Sequence, residues 1–124
     1  MPESWPQRLR LNRAMRLQAS REFAEIRAKG RRLVKGCLIA NWLVLPTPGK
    51  PRLGVITSRK IGGSVVRSRA RRHLREVFRV HQRELRLPVA IVLVARPSIA
   101  NKDHERIEKD FLGFLAEAGL IKKQ

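Results

Sequence analysis

Residues 52–76 read RLGVITSRKIGGSVVRSRARRHLRE, which predicts a strand, a glycine turn and a basic helix in direct succession. The run from Leu53 to Ser58 is short, rich in branched side chains and bounded by breakers, which is typical of a strand. From Val65 onward, apolar residues recur at helical spacing and form one stripe, made of Val66, Ala70, Leu74 and Val77. This stripe is expected to pack the helix on a sheet.

The turn and the helix carry a dense positive charge. Nine of the twenty-five residues from Arg59 to Arg83 are Lys or Arg, and only Glu76 is acidic. Five arginines follow one another at intervals of four and share one side of the helix, where like charges repel: Arg67, Arg71, Arg75, Arg79 and Arg83. A polyanion would neutralise that repulsion. Backbone amides of the turn, the helix N-terminus and the cations all attract phosphate oxygens, so we predict a phosphate-binding surface here.

The composition of the whole chain points to the same kind of partner. Its 124 residues hold 28 basic and 10 acidic side chains, a formal charge of +18, which is typical of proteins that bind nucleic acid or an anionic membrane. Arginine outnumbers lysine eight to one in the basic segment, and this favours forked contacts to structured RNA over a membrane. Because no apolar stretch could span a bilayer and no secretory signal is evident, we expect a cytoplasmic protein.

The length of the chain predicts a single domain. Residues 1–19 keep no helical or strand period and are interpreted as a flexible basic arm, residues 20–119 as one RNA-binding α/β domain, and residues 120–124 as a C-terminal tail. The single cysteine, Cys37, excludes an internal disulfide, and no second cysteine stands near a histidine to make a zinc site. Cys37 is therefore expected to be a small strand residue.

The first and last helices of this domain are predicted from their caps. The first covers residues 20–29, with its serine as the N-cap, and Gly30 is expected to end it in a left-handed conformation. The last helix should begin near Asn101 or Asp103 and end at Gly119.

The strands are predicted from short apolar runs between breakers. Residues 38–45 and 53–58 should be strands, and we expect them to pair as a hairpin around the loop of three prolines at 46–51. Residues 32–34 leave room for one more short strand. The fully apolar run at 89–95 suits a buried central strand.

The basic segment closely resembles the signature of the bacterial ribonuclease P protein subunit. In that family a Lys/Arg-Lys-x-Gly strand end leads to an Arg-Asn-Arg-x-(Lys/Arg)-Arg-x-x-Arg helix, matched here by Arg59, Lys60, Gly62, Arg67, Arg69, Arg71, Arg72 and Arg75. Arg16-Leu17, the run Glu22 to Ile26, and Ala95-Arg96 extend the resemblance to roughly residues 13–118. Two positions depart from the pattern: Ser68 stands where Asn is usual, and Arg27 where a second aromatic often follows.

The resemblance implies a fold of the α/β (α+β) class, a two-layer sandwich of about four strands and three helices. It also implies a left-handed βαβ crossover around the basic helix, against the general preference for right-handed ones. The implied activity is endonucleolytic removal of the 5′ leader from precursor tRNA. Catalysis would belong to a partner RNA and its magnesium ions (Mg2+), so that the protein would hold no catalytic residue and no metal of its own.

The resemblance further implies two binding sites. The catalytic RNA should contact Arg59, Lys60, Gly62, Arg67, Arg69, Arg71, Arg72, Arg75 and Arg79. A cleft between the first helix and the sheet should hold the single-stranded leader of precursor tRNA, with Arg16, Phe23, Ile26, Trp42 and Arg96 as its residues. For Phe23 and Trp42, a place in the core is an open alternative. The free protein is expected to be monomeric.

Three other classes of protein compete with this interpretation. A ribosomal or other structural RNA-binding protein explains the charge and the arginine bias equally well, but not the ordered match through Arg75. A DNA-coating protein usually shows a dimerisation element or wedge residues that this sequence lacks. A protein-only nuclease needs a carboxylate cluster, which one acidic residue among nine cations cannot form. His73 and His81 are expected to pack or to face a partner rather than to act as acids or bases.

Overall fold

The computed structural model describes residues 20–46, 49–85 and 88–121. Seven elements follow one another along the chain: α1 (Ser20–Lys29), β1 (Arg31–Lys35), β2 (Leu38–Val44), β3 (Arg52–Ile56), α2 (Ser64–His81), β4 (Val89–Ala95) and α3 (His104–Glu117). Short 3-10 turns lie at Arg59–Ile61, Gln82–Glu84 and Pro97–Asn101. The basic arm predicted for residues 1–19 lies outside the described residues.

The four strands form one mixed sheet in the order β1-β2-β4-β3. β2 pairs antiparallel with both β1 and β4, whereas β3 and β4 are parallel and are joined by the crossover helix α2. The predicted α+β class, with three helices and four strands, is confirmed, and so is the central position of β4. The handedness of the crossover stays a prediction.

The expected hairpin of β2 and β3 is wrong. β2 forms its hairpin with β1, the short strand for which the sequence left room, through a turn in which Gly36 has a φ of 56°. β3 pairs only with β4 within the described sheet. The physical reason is that β4 is apolar on both faces, so it takes the position with a neighbour at each edge and separates β2 from β3.

The helices cover the two faces of the sheet unequally. α2 and α3 pack on one face, against a large core that includes Leu38, Leu53, Ile91 and Leu93 from the strands and Phe78, Phe111 and Phe114 from the helices. The short α1 packs on the other face, where Ile26 contacts a smaller cluster with Ala90 and Val92. Alternate residues of β4 therefore enter different cores, which is the period-two pattern of a strand covered on both sides.

Glycines fix two of the connections near α1 and α3. Gly30 does not have a positive φ, so its predicted left-handed conformation is wrong. A Cβ atom at Gly30 would lie 2.2 Å from the carbonyl oxygen of Trp42, so glycine is needed here for close approach of two backbones. Gly119, in contrast, has a φ of 75° and ends α3 as predicted.

The C-terminal boundary of the domain lies beyond the predicted residue 119. Leu120 is only 1% exposed, belongs to the large core, and donates its backbone N–H to the carbonyl of Leu115 at 2.9 Å. The described part of the predicted tail is therefore folded because its leucine completes the core under α3. At the other end of α3, the side chain of Asp103 caps the helix by accepting a hydrogen bond from the backbone N–H of Arg106 at 2.9 Å.

A buried carboxylate joins α3 to the hairpin turn. Asp110 is 5% exposed, and its Oδ2 accepts a hydrogen bond from the backbone N–H of Cys37 at 3.0 Å. A Cβ atom at Gly36 would lie 2.1 Å from the same oxygen, so the turn and the helix fit only with glycine there. Burial, and then the contact with Asp110, raises the pKa of the Cys37 thiol to about 12, which keeps it protonated at neutral pH.

We expect Asp110→Ala to lower the free energy of unfolding by about 1–3 kcal/mol, because it leaves the buried N–H of Cys37 without an acceptor. Urea denaturation measures this. Glu105→Ala is the matched control, an exposed acid on the same helix, and it should change stability by less than about 0.5 kcal/mol. Equal stability of the two variants would contradict the role given to Asp110.

Candidate nucleic-acid interface

The junction between β3 and α2 positions the first cations of the site. Ile61, only 5% exposed, anchors the 3-10 turn in the core and leaves Arg59 and Lys60 exposed. Gly62 follows with a φ of 147°, and a Cβ atom there would lie 2.9 Å from the Cβ of Val66. Only glycine allows this sharp entry into the helix. The two cations consequently stand directly in front of the N-terminus of α2.

The N-terminus of α2 attracts anions by its own electrostatics. Its N-cap is Gly63, which has no side chain to accept a hydrogen bond from the first amides, and no acidic residue lies in the first turn. The first N–H groups of a helix lack intrahelical partners and carry the positive end of its dipole. An anion such as phosphate is therefore stabilised at this end.

The apolar stripe of α2 is buried as predicted, and its arginines divide into two groups. Ala70, Leu74 and Val77 of that stripe are buried against the sheet and α3, together with Phe78, whereas Val66 is only partly buried. Two arginines bind other parts of the protein. Arg71 donates to the hydroxyls of Thr57 at 2.7 Å and Ser68 at 3.2 Å, and Arg69 donates to the carbonyl of Lys102 at 2.6 Å. Although Ser68 replaces the Asn that is usual in the family pattern, its hydroxyl still accepts a side-chain hydrogen bond, from Arg71.

A second group of cations has no such contacts. In the turn and the first half of α2, both parts of the described chain, four side chains make neither an ion pair nor a hydrogen bond: Arg59, Lys60, Arg67 and Arg72. The Nε atom of Arg67 is buried without a hydrogen-bond partner among the described residues. This atom is closed to solvent and therefore also to a ligand, so a contact of Arg67 with a phosphate would be made by its NH groups.

The predicted contact residue Arg79 differs from these four, since its guanidinium binds Glu76 one turn before it. The hydrogen bond from Arg79 lowers the pKa of the Glu76 carboxyl, which stays ionised and offsets the positive charge of Arg79. The electrostatic centre of the surface therefore lies in the first half of α2 and in the preceding turn, rather than along the whole helix. Arg75 is half-buried and also makes contacts within the protein.

The opposite face of the sheet carries an apolar row that sequence reasoning missed. One branched residue from each strand lies in register across the sheet: Val34, Ile39, Val94 and Ile56. None of them is fully buried, since Val94 and Ile56 pack only partly against the cluster under α1 and Val34 is 41% exposed. The sequence did contain a signal for this row. On each strand these residues are apolar, although they alternate with the residues that face the large core.

The structure brings only some of the predicted cleft residues to this row. Phe23 is half-buried beside it and contacts the same small cluster as Val94 and Ile56, whereas Ile26 is 4% exposed and lies within that cluster. Arg96 follows β4 on the same face, is exposed, and donates to the carbonyl of Gly36 at 2.9 Å. Arg16 lies outside the described residues.

The placement of Trp42 in the cleft is wrong. Its side chain lies on the α3 side of the sheet, is 7% exposed, and packs edge-on against Phe114 with ring centroids 5.3 Å apart. Strand alternation is the cause, since Trp42 has the parity of Leu38 and Ala40 and not that of Ile39.

Within residues 20–46, 49–85 and 88–121 no three His, Cys, Asp or Glu side chains converge on a point where they could hold a metal ion. None of the described helices is both long and apolar enough to cross a membrane.

Comparisons with known proteins agree on one family. The model of the family Ribonuclease P matches residues 11–119. The ribonuclease P protein component of Syntrophomonas wolfei is 36% identical over 111 residues, which cover 90% of this chain and 92% of that protein. The Staphylococcus aureus ribonuclease P protein has the same fold, with a TM-score of 0.80 at 24% identity over 87% of this chain and 98% of its own. The Thermotoga maritima protein gives a TM-score of 0.74 at 24% identity, over 82% and 96%.

The fold and the surface define a small, basic α+β protein in which a glycine turn presents an arginine-rich helix to a polyanion. The chain belongs to the ribonuclease P protein family, because the family model matches nearly all of it.

The second half of α2 contains a titratable contact to α3. His81 lies between two carboxylates, with its Nδ1 at Glu84 and its Nε2 2.7 Å from Glu108. Burial alone would lower the pKa of His81, but the hydrogen bonds to Glu84 and Glu108 outweigh it and the pKa is raised. The side chain of His81 thus connects α2 to α3 through a hydrogen bond and is not an apolar packing residue.

The raised pKa predicts how stability depends on pH. The protonated His81 stabilises the fold fully below the ordinary pKa of histidine, about 6.5, and this contribution is lost as the pH rises through the higher pKa of the folded state. At pH 6 we expect His81→Gln to cost about 1 kcal/mol, since the two carboxylates are partly exposed. The difference from wild type in chemical denaturation should shrink toward pH 9, and a difference independent of pH would contradict the assignment.

Proposed function

We propose that this chain is the protein subunit of ribonuclease P, which binds the catalytic RNA and the 5′ leader of precursor tRNA to support endonucleolytic 5′ maturation. The observation that carries the proposal is the group of cations at the uncapped N-terminus of α2, namely Arg59, Lys60, Arg67 and Arg72, which have no partner among the described residues. Membership of the ribonuclease P family selects RNA as the polyanion. The protein would act as a monomer in the cytoplasm.

In this proposal the surface of Arg59, Lys60, Arg67 and Arg72 docks on the sugar–phosphate backbone of the catalytic RNA. Arginine suits this role because its planar fork makes two hydrogen bonds to one phosphate. Arg69 and Arg71 hold the helix in place through Lys102 and Thr57, so they support the surface from within the protein. Gly62 allows the entry of the helix that places Arg59 and Lys60 at its N-terminus.

The apolar row on the other face supports a contact with the leader. Val34, Ile39, Val94 and Ile56 form a floor, Phe23 stands at its side, and Arg96 adds a cation at one end. Bases of a single strand can stack on or pack against such a surface without sequence-specific hydrogen bonds. The leader would therefore be held with tolerance for many sequences, while phosphates reach the nearby cation.

Bond breaking would be left to the RNA, with its bound Mg2+ supplying the electrophilic assistance that phosphodiester hydrolysis needs. The contribution of the protein is electrostatic, because a chain with a charge of +18 reduces the repulsion between phosphates brought together near the active site.

Reconstitution with a bacterial ribonuclease P RNA and labelled precursor tRNA tests the function directly. We expect the protein to lower the Mg2+ concentration needed for half-maximal cleavage, because its cations replace part of the ionic screening. Superimposable magnesium titrations with and without the protein would contradict the proposal. Cleavage by the protein in the absence of the RNA would contradict it as well.

The double variant Arg67→Ala with Arg72→Ala should bind the catalytic RNA weakly and lower the slope of log affinity against log salt by about 2, because two phosphate contacts are lost. Filter binding at several salt concentrations measures both quantities. Arg31→Ala with Lys109→Ala is the matched control, because it removes the same charge from exposed positions away from α2. Equal slopes for the two double variants would place the interface elsewhere.

Phe23→Leu should keep the apolar packing of α1 but remove an aromatic ring that can stack on a base. We expect the reconstituted enzyme to lose about 1–3 kcal/mol of affinity for precursor tRNA and none for mature tRNA, which has no leader. Equilibrium binding of the two RNAs distinguishes these effects. An equal loss for both RNAs would show that Phe23 acts only through the stability of the fold.

A further inference from the structure

Two histidines from different elements face each other beside the candidate interface. His73 lies in α2 and His104 is the first residue of α3, and their Nδ1 atoms are 2.7 Å apart. The ring centroids are 4.9 Å apart, which is close to the largest value that this Nδ1 contact allows. The two nitrogens therefore point at each other almost head-on. The proposed function gives this pair no role.

The head-on geometry identifies the contact as a hydrogen bond that holds one proton. Nitrogens that share a metal ion direct their lone pairs to a common point beside the line that joins them, whereas these two point along that line. One Nδ1–H must donate to the other Nδ1, because two N–H groups cannot face each other at 2.7 Å. The Nε2 of the donor ring can still take a proton, and the resulting imidazolium makes a stronger, charge-assisted bond.

Positive charge from α2 acts on His73 in the free protein, since Arg69 and Arg72 lie within one turn of it. Of the acids near His104, Glu76 is engaged by Arg79, Glu108 is bonded to His81, and Glu105 is exposed to solvent. Burial, then Arg69, His104 and Arg72, lower the pKa of His73.

The segment before α3 adds no free acid to balance this charge. The carbonyl of Lys102 binds Arg69, and the side chain of Asp103 accepts from its own helix. The 3-10 turn Pro97–Asn101 has no ionisable side chain. Of these cations, Arg72 belongs to the binding surface, so its opposition to a proton on His73 depends on what that surface binds.

We propose that RNA binding by α2 is coupled to the uptake of a proton by the His73–His104 pair. RNA phosphates at Arg72 cancel charge that opposes an imidazolium, so a proton from the solvent adds to the free Nε2 of the donor ring. Linkage is reciprocal, and the protein must therefore bind RNA more tightly as the pH falls toward 6. Only the identity of the RNA rests on the proposed function.

Calorimetric titration of a bacterial ribonuclease P RNA with the protein, near pH 6.5 in two buffers of different ionisation enthalpy, counts the protons taken up. We expect the wild type to take up a fraction of a proton, at most about one per protein. The double variant His73→Gln with His104→Gln should lose this uptake. His81→Gln, which changes the third histidine at the other end of α2, should retain it.

Equal uptake by the wild type and the double variant, or none by the wild type, would overturn the proposal. Circular dichroism of each variant confirms that it is folded. The same titration with an unrelated duplex RNA separates this proposal from the proposed function. Histidine-dependent uptake with the duplex, but no preference for the ribonuclease P RNA, would retain the coupling and reject the function. Tight, selective binding of the ribonuclease P RNA without proton uptake would retain the function and reject the coupling.

Discussion

The burial of β4 on both of its faces is the constraint on which the rest of the structure depends. Its residues alternate between the large core under α2 and α3 and the small cluster under α1. A strand of this kind needs a neighbour at each edge, so β2 and β3 flank it. Because β3 runs parallel to β4, α2 must cross back over the sheet, and its N-terminus lies where β3 ends. The anion-binding end of the helix is thus set by the packing of a strand that carries none of the cations.

The unequal cover of the two faces separates two kinds of surface. Two long helices bury most of one face, and the outer side of α2 is left for charges. The ten-residue α1 is too short to cover the other face, and the row from Val34 to Ile56 stays partly open. A charged ridge suits a phosphate backbone, whereas an open apolar row suits unstacked bases. One small domain can therefore meet two different parts of an RNA assembly at once.

The cations of α2 are not equivalent, although the sequence presents them as one series. Arg69 and Arg71 bind a carbonyl and two hydroxyls of the protein, and Arg79 is offset by Glu76. These contacts fix the helix and leave the residues near its N-terminus to attract a ligand. The same crowding of positive charge acts on His73, so the ionisation of the histidine pair depends on what occupies the surface.

Four features could be predicted from the sequence alone, because each depends only on local spacing and charge. They are the basic segment, the amphipathic stripe of α2, the central apolar strand and the family pattern. The sequence also predicted Gly62 as part of the turn, but not the contact with Val66 that requires it. Only the tertiary structure decided which strands pair, on which side of the sheet Trp42 and Phe23 lie, and which arginines are engaged. Those outcomes depend on contacts between residues far apart in the chain. In the sheet, the burial of β4 between two neighbours outweighs the fact that β2 and β3 are adjacent in sequence. For the same reason Gly30 could be recognised as a helix end but not as the point where α1 meets the backbone of Trp42.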